Sequence, residues 1–297
     1  MTKLKAVPPK AAEPAKPKIL IAGKPGVGKT WCSLEWPSVY YIDTEGGANL
    51  SHYTQKLEQA GGVYLGQEQG ALDFDTILEQ IKALASEQHS YKTLVIDSIS
   101  KLFNQCVADE AEKLGDRNVF GADKKPAIAY MRRLCAWLNR LDMNVVLIAH
   151  EKPLWGVDSK GQRSEIGTTF DCWDKLEYEL HLFLQIQKSG NNRTALVRKS
   201  RLQTFPDNDR FDWSYPAFAE RYGKAVIEKS TTPIKLASPD QLDELQELLS
   251  IYKLEEGEKE KWFKKAGVED FGEMSADTMQ KIIDYINKKI NPKGRKK

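Results

Sequence analysis

The segment Gly23-Lys-Pro-Gly-Val-Gly-Lys29-Thr30 constrains the fold more than any other, and it directly follows the apolar run Lys18-Ile-Leu-Ile-Ala22. It satisfies the pattern G-x-x-x-x-G-K-[ST] at every fixed position. A glycine-rich turn between a strand and a helix lets backbone N–H groups converge on an anion. The segment therefore predicts a phosphate cradle built from Gly23, Lys24, Pro25, Gly26, Val27, Gly28, Lys29, Thr30 and Trp31, with ATP and Mg²⁺ as cofactors. In that arrangement Lys29 reaches the β- and γ-phosphates and Thr30 ligates the metal. The alternative is a glycine-rich strand–helix turn that binds nothing.

Further apolar runs lie at Val39-Tyr-Tyr-Ile42, Thr93-Leu-Val-Ile96 and Val145-Val-Leu-Ile-Ala149. They are continuous rather than alternating, as strands covered on both faces are. Between them Ile77, Ile81 and Leu84, then Tyr130, Leu134, Trp137, Leu138 and Leu141, recur at helical spacing. Strands alternating with helices predict an α/β fold with a mostly parallel sheet flanked by helices. Glu179–Ile186 and Thr194–Arg198 flank Ser189-Gly-Asn-Asn192 and read as a β-hairpin. Ser238-Pro-Asp-Gln and Ser275 look like N-caps of helices in a small all-α C-terminal module. The expected organisation is a disordered basic arm (1–17), the α/β domain (18–230), the helical module (231–290) and a basic tail (291–297).

The formal charge of +2 over 297 residues hides a segregation. Residues 1–18 hold five Lys and one Glu, residues 287–297 hold six Lys or Arg and no acid, and residues 238–286 hold thirteen acids against six bases. No run of eighteen apolar residues is present, so no membrane span is expected. The start lacks an apolar signal region, and the four cysteines form no CxxC. These features predict a cytoplasmic chain without a zinc site or a disulfide framework.

A phosphate cradle needs carboxylates for the metal and the attacking water. Asp97 ends the run Thr93-Leu-Val-Ile-Asp97, where it holds Mg²⁺ or else caps the next helix. Ser98 occupies the next position, where many such enzymes carry the base. Glu45, in Tyr40-Tyr-Ile-Asp43-Thr-Glu45-Gly-Gly, is then the candidate general base, at the end of a strand expected beside the cradle's own. Asp43 orients that loop or joins the metal shell. The other reading makes both of them solvated turn acids.

This combination resembles the RecA superfamily, and within it the phage RecA-like ATPases of the Sak-four group. The matching residues are Ile21–Thr30, Tyr41-Ile-Asp-Thr-Glu-Gly-Gly47, Tyr91–Ser98 and Val146-Leu-Ile-Ala-His150, within a likeness that covers roughly residues 18–225. The resemblance implies a RecA-like P-loop core and an ATPase that works as a homo-oligomer. It also implies single-stranded DNA binding and strand annealing or exchange in phage-type recombination, in a bacterial host and in the company of a single-strand-binding protein. His150 falls where such proteins place a polar sensor, or it is an ordinary strand-terminal histidine. Lys199 and Arg201 resemble the Lys-x-Arg element of bacterial RadA, whose cations reach a neighbouring subunit's nucleotide; a DNA-phosphate contact or a solvated strand end is the other possibility. A helicase or packaging-type motor, and an annealing protein using ATP only as a switch, remain alternative functions.

Two polar segments, 113–125 and 151–163, read as long loops near the carboxyl ends of strands. Arg117, Phe120, Lys124, Lys125, Lys152, Trp155, Lys160 and Arg163 combine cations with aromatics, as a single-strand surface does. Both segments also carry acids, so plain surface loops are the competing reading. The acidic module is expected to bind a partner or to regulate the protein itself, by pairing with the basic tails or competing for the DNA channel, or else to cap the fold.

Overall fold

The computed structural model describes residues 15–47, 50–70, 72–119, 121–157 and 161–291. Its centre is the set of apolar runs found in the sequence, now β1 (Lys18–Ala22), β2 (Val39–Asp43), β4 (Thr93–Asp97) and β5 (Asn144–Ala149), with a short β3 (Val63–Leu65) at one edge. After β6 (Glu151–Val157) and β7 (Arg163–Phe170), the chain returns to the main sheet as β8 (Leu182–Ser189), β9 (Asn192–Ser200) and β10 (Arg210–Asp212). The order across this sheet is β10-β9-β8-β1-β5-β4-β2-β3. The six strands from β8 to β3 are parallel, and β9 and β10 add antiparallel to them. β6 and β7 form a separate antiparallel pair.

Helices cover both faces, which is why the central strands contain apolar residues at nearly every position. On one face Leu20, Ile96 and Leu147 pack against α3 (Phe74–Ser86), α4 (Ile99–Leu114) and α5 (Lys124–Arg140), through Ile77, Leu102, Leu134 and Trp137. On the other, Ile19, Val95 and Leu184 pack against α1 (Lys29–Ser33), α2 (Ser51–Gln59), α7 (Tyr215–Tyr222) and α8 (Lys224–Glu228). A short α6 (Leu176–Glu179) leads into β8. Because β1, β2, β4 and β5 run parallel, their carboxyl ends bring Gly23, Glu45, Ser98 and His150 to one edge of the sheet.

Three expectations change. β2 is not beside the P-loop strand; β5 and β4 lie between them. Within the segment 151–163, residues 151–157 form β6 and Arg163 opens β7, because Trp155, Val157, Ile166 and the threonines favour strands. A register shift between Leu154 and Trp155 hides the alternation. The segment 113–125 is the end of α4, a 3₁₀ turn at Gly115–Arg117 and the start of α5. The arm also begins its order early. Lys16 is 5% exposed, its Nζ donating to Asp142 O at 3.1 Å and Ser230 O at 3.2 Å.

The last helices, α9 (Pro239–Ile251), α10 (Glu258–Ala266) and α11 (Ala276–Ile290), enclose Leu245, Met274, Met279, Ile283 and Ile286. Ser238 caps α9 by a reciprocal capping box with Gln241, and Ser275 caps α11. The module's acids do not all face water. Glu273 is 5% exposed and accepts from Lys82 of α3 at 2.7 Å and Arg133 of α5 at 2.8 Å, while Glu269 pairs with Arg133 at 2.7 Å. Replacing Glu273 by Ala leaves Lys82 with only the exposed Glu79 and Arg133 with only the exposed Glu269, and we expect thermal unfolding to report a loss of about 2–3 kcal/mol. Limited proteolysis should then cut near residues 230–236 faster than in the wild type.

Candidate active site

Side chains alternate across a strand. In β4 this sends Val95 and Asp97 towards α1 and Leu94 and Ile96 towards the opposite helices. The same parity in β2 aligns Tyr41 and Asp43 with the α1 face. Asp97, 5% exposed, accepts from Thr30 Oγ1 at 2.6 Å and from the Tyr41 hydroxyl at 2.8 Å, both on Oδ2. Burial raises its pKa to about 6; the two hydroxyls oppose that shift, and the Glu45 and Asp43 carboxylates add to it. Burial, then the Asp97 charge, pushes the Tyr41 phenol upward. Ser98 caps α4 through Lys101 N at 3.2 Å, which leaves the Asp97 carboxylate to the α1 side.

Asp43, 1% exposed, accepts from the backbone N–H groups of Glu45 and Gly46, both at 2.9 Å. This Asx-type turn folds the chain at the end of β2 and aims Glu45 back over the edge of the sheet. Thr44 Oγ1 donates to Ser98 O at 3.0 Å and accepts from Ser98 N at 2.8 Å, clamping the ends of β2 and β4 together. Glu45 Oε1 meets His150 Nε2, and Ser98 Oγ lies 3.4 Å from the same nitrogen. Burial alone would raise the Glu45 pKa, but the Ser98 hydroxyl, the His150 ring and the Lys29 ammonium outweigh it and hold it below the usual range. Glu45 is thus an ionised, half-exposed carboxylate with a fixed imidazole partner.

The P-loop backbone is left-handed at Gly26 (φ +75°) and Gly28 (φ +93°), where a side chain would be strained. Lys29 folds across its own loop, donating to Gly23 O at 2.8 Å and Lys24 O at 3.1 Å. Burial lowers its pKa, against the pull of Asp97, Glu45 and Glu151. Trp31 is exposed beside His52 and Tyr53, with ring centroids 6.2 and 6.1 Å away, and Lys56 Nζ sits 3.8 Å above its ring. These residues fit a nucleotide with its metal: backbone donors and Lys29 for the phosphates, Thr30 and Asp97 for Mg²⁺, and an aromatic cluster next to the loop.

Not every candidate joins this group. Lys199 and Arg201 lie at the amino-terminal edge, where Ser200 pairs with Leu182, the first residue of β8. They donate to Leu180 O and Tyr178 O and do not meet their own P-loop. Arg117 lies on the 3₁₀ turn, and Lys124 and Lys125 open α5. Lys152 is paired with Asp171 (3.7 Å) and Asp174 (3.3 Å), which neutralises it as a phosphate contact. Trp155 is 54% exposed on β6, and the Arg163 guanidinium lies 5.6 Å from its ring. Phe120 and Lys160 fall outside the described residues.

Sequence reasoning missed Tyr41, Thr44 and the polar root of the β6–β7 pair. There Gln185 Nε2 donates to Glu151 Oε1 at 2.7 Å and to Thr168 Oγ1 at 2.8 Å, and Arg198 donates to Gln185 Oε1 at 2.9 Å. The available signal for Tyr41 was its parity with Asp43 in a buried strand.

Residues 15–211 match the AAA domain family, a stretch that holds the P-loop, Glu45, Asp97, His150 and both hairpins. The chain belongs to that family. No curated protein matches it. Among solved structures, the RadB recombinase is similar at 17% identity and a TM-score of 0.42, over 67% of this chain and 88% of its own. An ATPase from the type III secretion system of pathogenic bacteria has 12% identity and a TM-score of 0.39, over 97% and 89%. The pCW3 conjugation coupling protein TcpA has 13% identity and a TM-score of 0.35, over 72% and 64%.

The raised pKa of Asp97 makes a signed prediction. The folded, nucleotide-free protein holds this proton more tightly than the unfolded chain does, so that contribution to stability is full below the ordinary aspartate pKa and is lost as pH rises through about 6. Asp97→Asn removes the dependence. Its melting temperature relative to wild type should therefore climb between pH 5 and pH 7.5 in thermal melts, corresponding to about 1 kcal/mol of relative stability, most of it gained by pH 6.5.

Proposed function

We propose that this AAA-domain chain is a Mg²⁺-dependent ATPase of the RecA-like kind that acts on single-stranded DNA as a homo-oligomer, promoting strand annealing or exchange in phage-type recombination. The observation that carries this reading is the Glu45–His150 pair. It stands at the sheet edge that also holds the P-loop and Asp97, and His150 is followed at once by the exposed β6–β7 ribbon.

Glu45 is the base that takes a proton from the attacking water, and its depressed pKa keeps it unprotonated at neutral pH. His150 and Ser98 orient its carboxylate. Lys29 exchanges its two loop carbonyls for phosphate oxygens, and Thr30 with Asp97 holds the metal. Mg²⁺, when bound, supplies neutralisation of phosphate charge. Trp31, His52 and Tyr53 offer stacking surfaces for the base. Lys199 and Arg201, remote from their own P-loop, serve a neighbouring subunit's nucleotide.

Changes at Glu45 reach the ribbon along a short path. His150 N donates to Ser100 Oγ at 2.8 Å, Ser100 Oγ donates to Asp171 O, and Asp171 N donates to His150 O at 2.8 Å. Trp155 supplies a π-face for bases and Arg163 a cation for phosphates. ATP turnover should therefore rise when single-stranded DNA is added. Trp155→Ala should weaken DNA binding by about 1–3 kcal/mol and blunt the stimulation, leaving DNA-free turnover intact. Turnover that ignores DNA, or full stimulation of Trp155→Ala, would overturn the DNA reading.

A further inference from the structure

Arg193 lies near the turn of the β8–β9 hairpin, where it pairs with Lys188. Alternation along β9 places it on the same face as Ala195 and Val197, which pack against the α1 side of the sheet. A guanidinium thus ends an otherwise apolar stripe. Its side chain covers Gly28: a Cβ built on that glycine would lie 2.5 Å from Arg193 Nε and 2.8 Å from Cδ. Glycine is required at position 28 by its φ of +93°, and the Arg193 side chain fills the space beside it.

The guanidinium has no matching acceptor. Arg193 Nε is buried without a hydrogen-bond partner, and the side chain makes no ion pair or hydrogen bond among the described residues. Its position is nonetheless fixed, because Trp213 N donates to Arg193 O at 2.9 Å and so ties the residue to the end of β10. The nearby acid Glu35 is taken by Lys56 at 2.6 Å. A desolvated donor without an acceptor is costly. Held beside the last glycine of a phosphate loop, such a donor is within reach of the loop's own anion site.

We infer that Arg193 is a nucleotide-contacting residue acting in cis, donating to the phosphate chain of the nucleotide held by its own subunit's P-loop. The assignment rests on the nucleotide reading of that loop. It also separates by function the cations at the two ends of β9. Arg193 serves the subunit that carries it, and Lys199 and Arg201, at the other end of the strand, serve a neighbour.

The test is ATP and ADP affinity, by titration calorimetry, for wild type, Arg193→Met, Arg193→Lys and Lys29→Ala, with melting temperatures of each protein free of nucleotide. Arg193→Met should bind both nucleotides about 10- to 100-fold more weakly, the range of a charge-assisted hydrogen bond. Arg193→Lys should recover part of the loss. The nucleotide-free melting temperature of Arg193→Met should equal or exceed that of wild type, since no partner is lost. Unchanged affinity in Arg193→Met, or a melting temperature that falls in step with affinity, would overturn the assignment. Wild-type protein that binds no ATP, or Lys29→Ala that binds it normally, would instead overturn the nucleotide reading and the assignment with it.

Discussion

The Asp97 carboxylate, 5% exposed, joins three elements that are far apart in sequence. One oxygen accepts from Thr30 on α1 and from Tyr41 on β2, while the residue itself ends β4. A charge buried this deeply is tolerated because two hydroxyls point at it, and even so its proton affinity is raised. The strain of unmet charge is what a divalent cation would relieve. Structure and the proposed chemistry therefore meet at one atom: the contact that locks the P-loop helix to the sheet is also the carboxylate proposed to hold the metal.

From that point the arrangement spreads along the carboxyl edge of the sheet. Asp43 folds the next loop through two backbone donors, Thr44 clamps it to Ser98, and Glu45 is left facing His150. β2 lies three places from β1 in the sheet, so Glu45 reaches the P-loop edge through its loop rather than through its strand. The β6–β7 ribbon grows from His150 and is anchored to the P-loop side by Glu151, Gln185 and Thr168. A ribbon rooted in both the Glu45 partner and a strand that touches the P-loop can register what that loop holds.

Much of this was legible in the residues alone. The central strands announced themselves because burial on both faces leaves unbroken apolar runs, and the caps at Ser238 and Ser275 are local chemistry that tertiary context did not override. The P-loop, Asp97 and the Asp43–Glu45 turn depend on short-range geometry. What was not legible depends on pairing across the sheet. The order of strands, the edge strands Val63–Leu65 and Arg210–Asp212, and the Tyr41–Asp97 bond are set by contacts between distant segments. The ribbon was hidden by the register shift between Leu154 and Trp155. Two of the C-terminal module's acids, Glu269 and Glu273, pair with Arg133 and Lys82 of the core, contacts between distant segments that its acidity alone did not reveal.

The central claim is that Glu45 is the base of a hydrolytic site completed by Asp97 and the P-loop. Its most direct test is ATP turnover and ATP affinity of Glu45→Gln in the presence of Mg²⁺. The side chain keeps its size and its hydrogen-bonding reach but cannot take up a proton. Turnover should fall by about 10²–10⁴-fold, the usual contribution of a general base, while ATP affinity stays near that of wild type. Glu45→Gln protein that hydrolyses ATP at the wild-type rate would contradict the account.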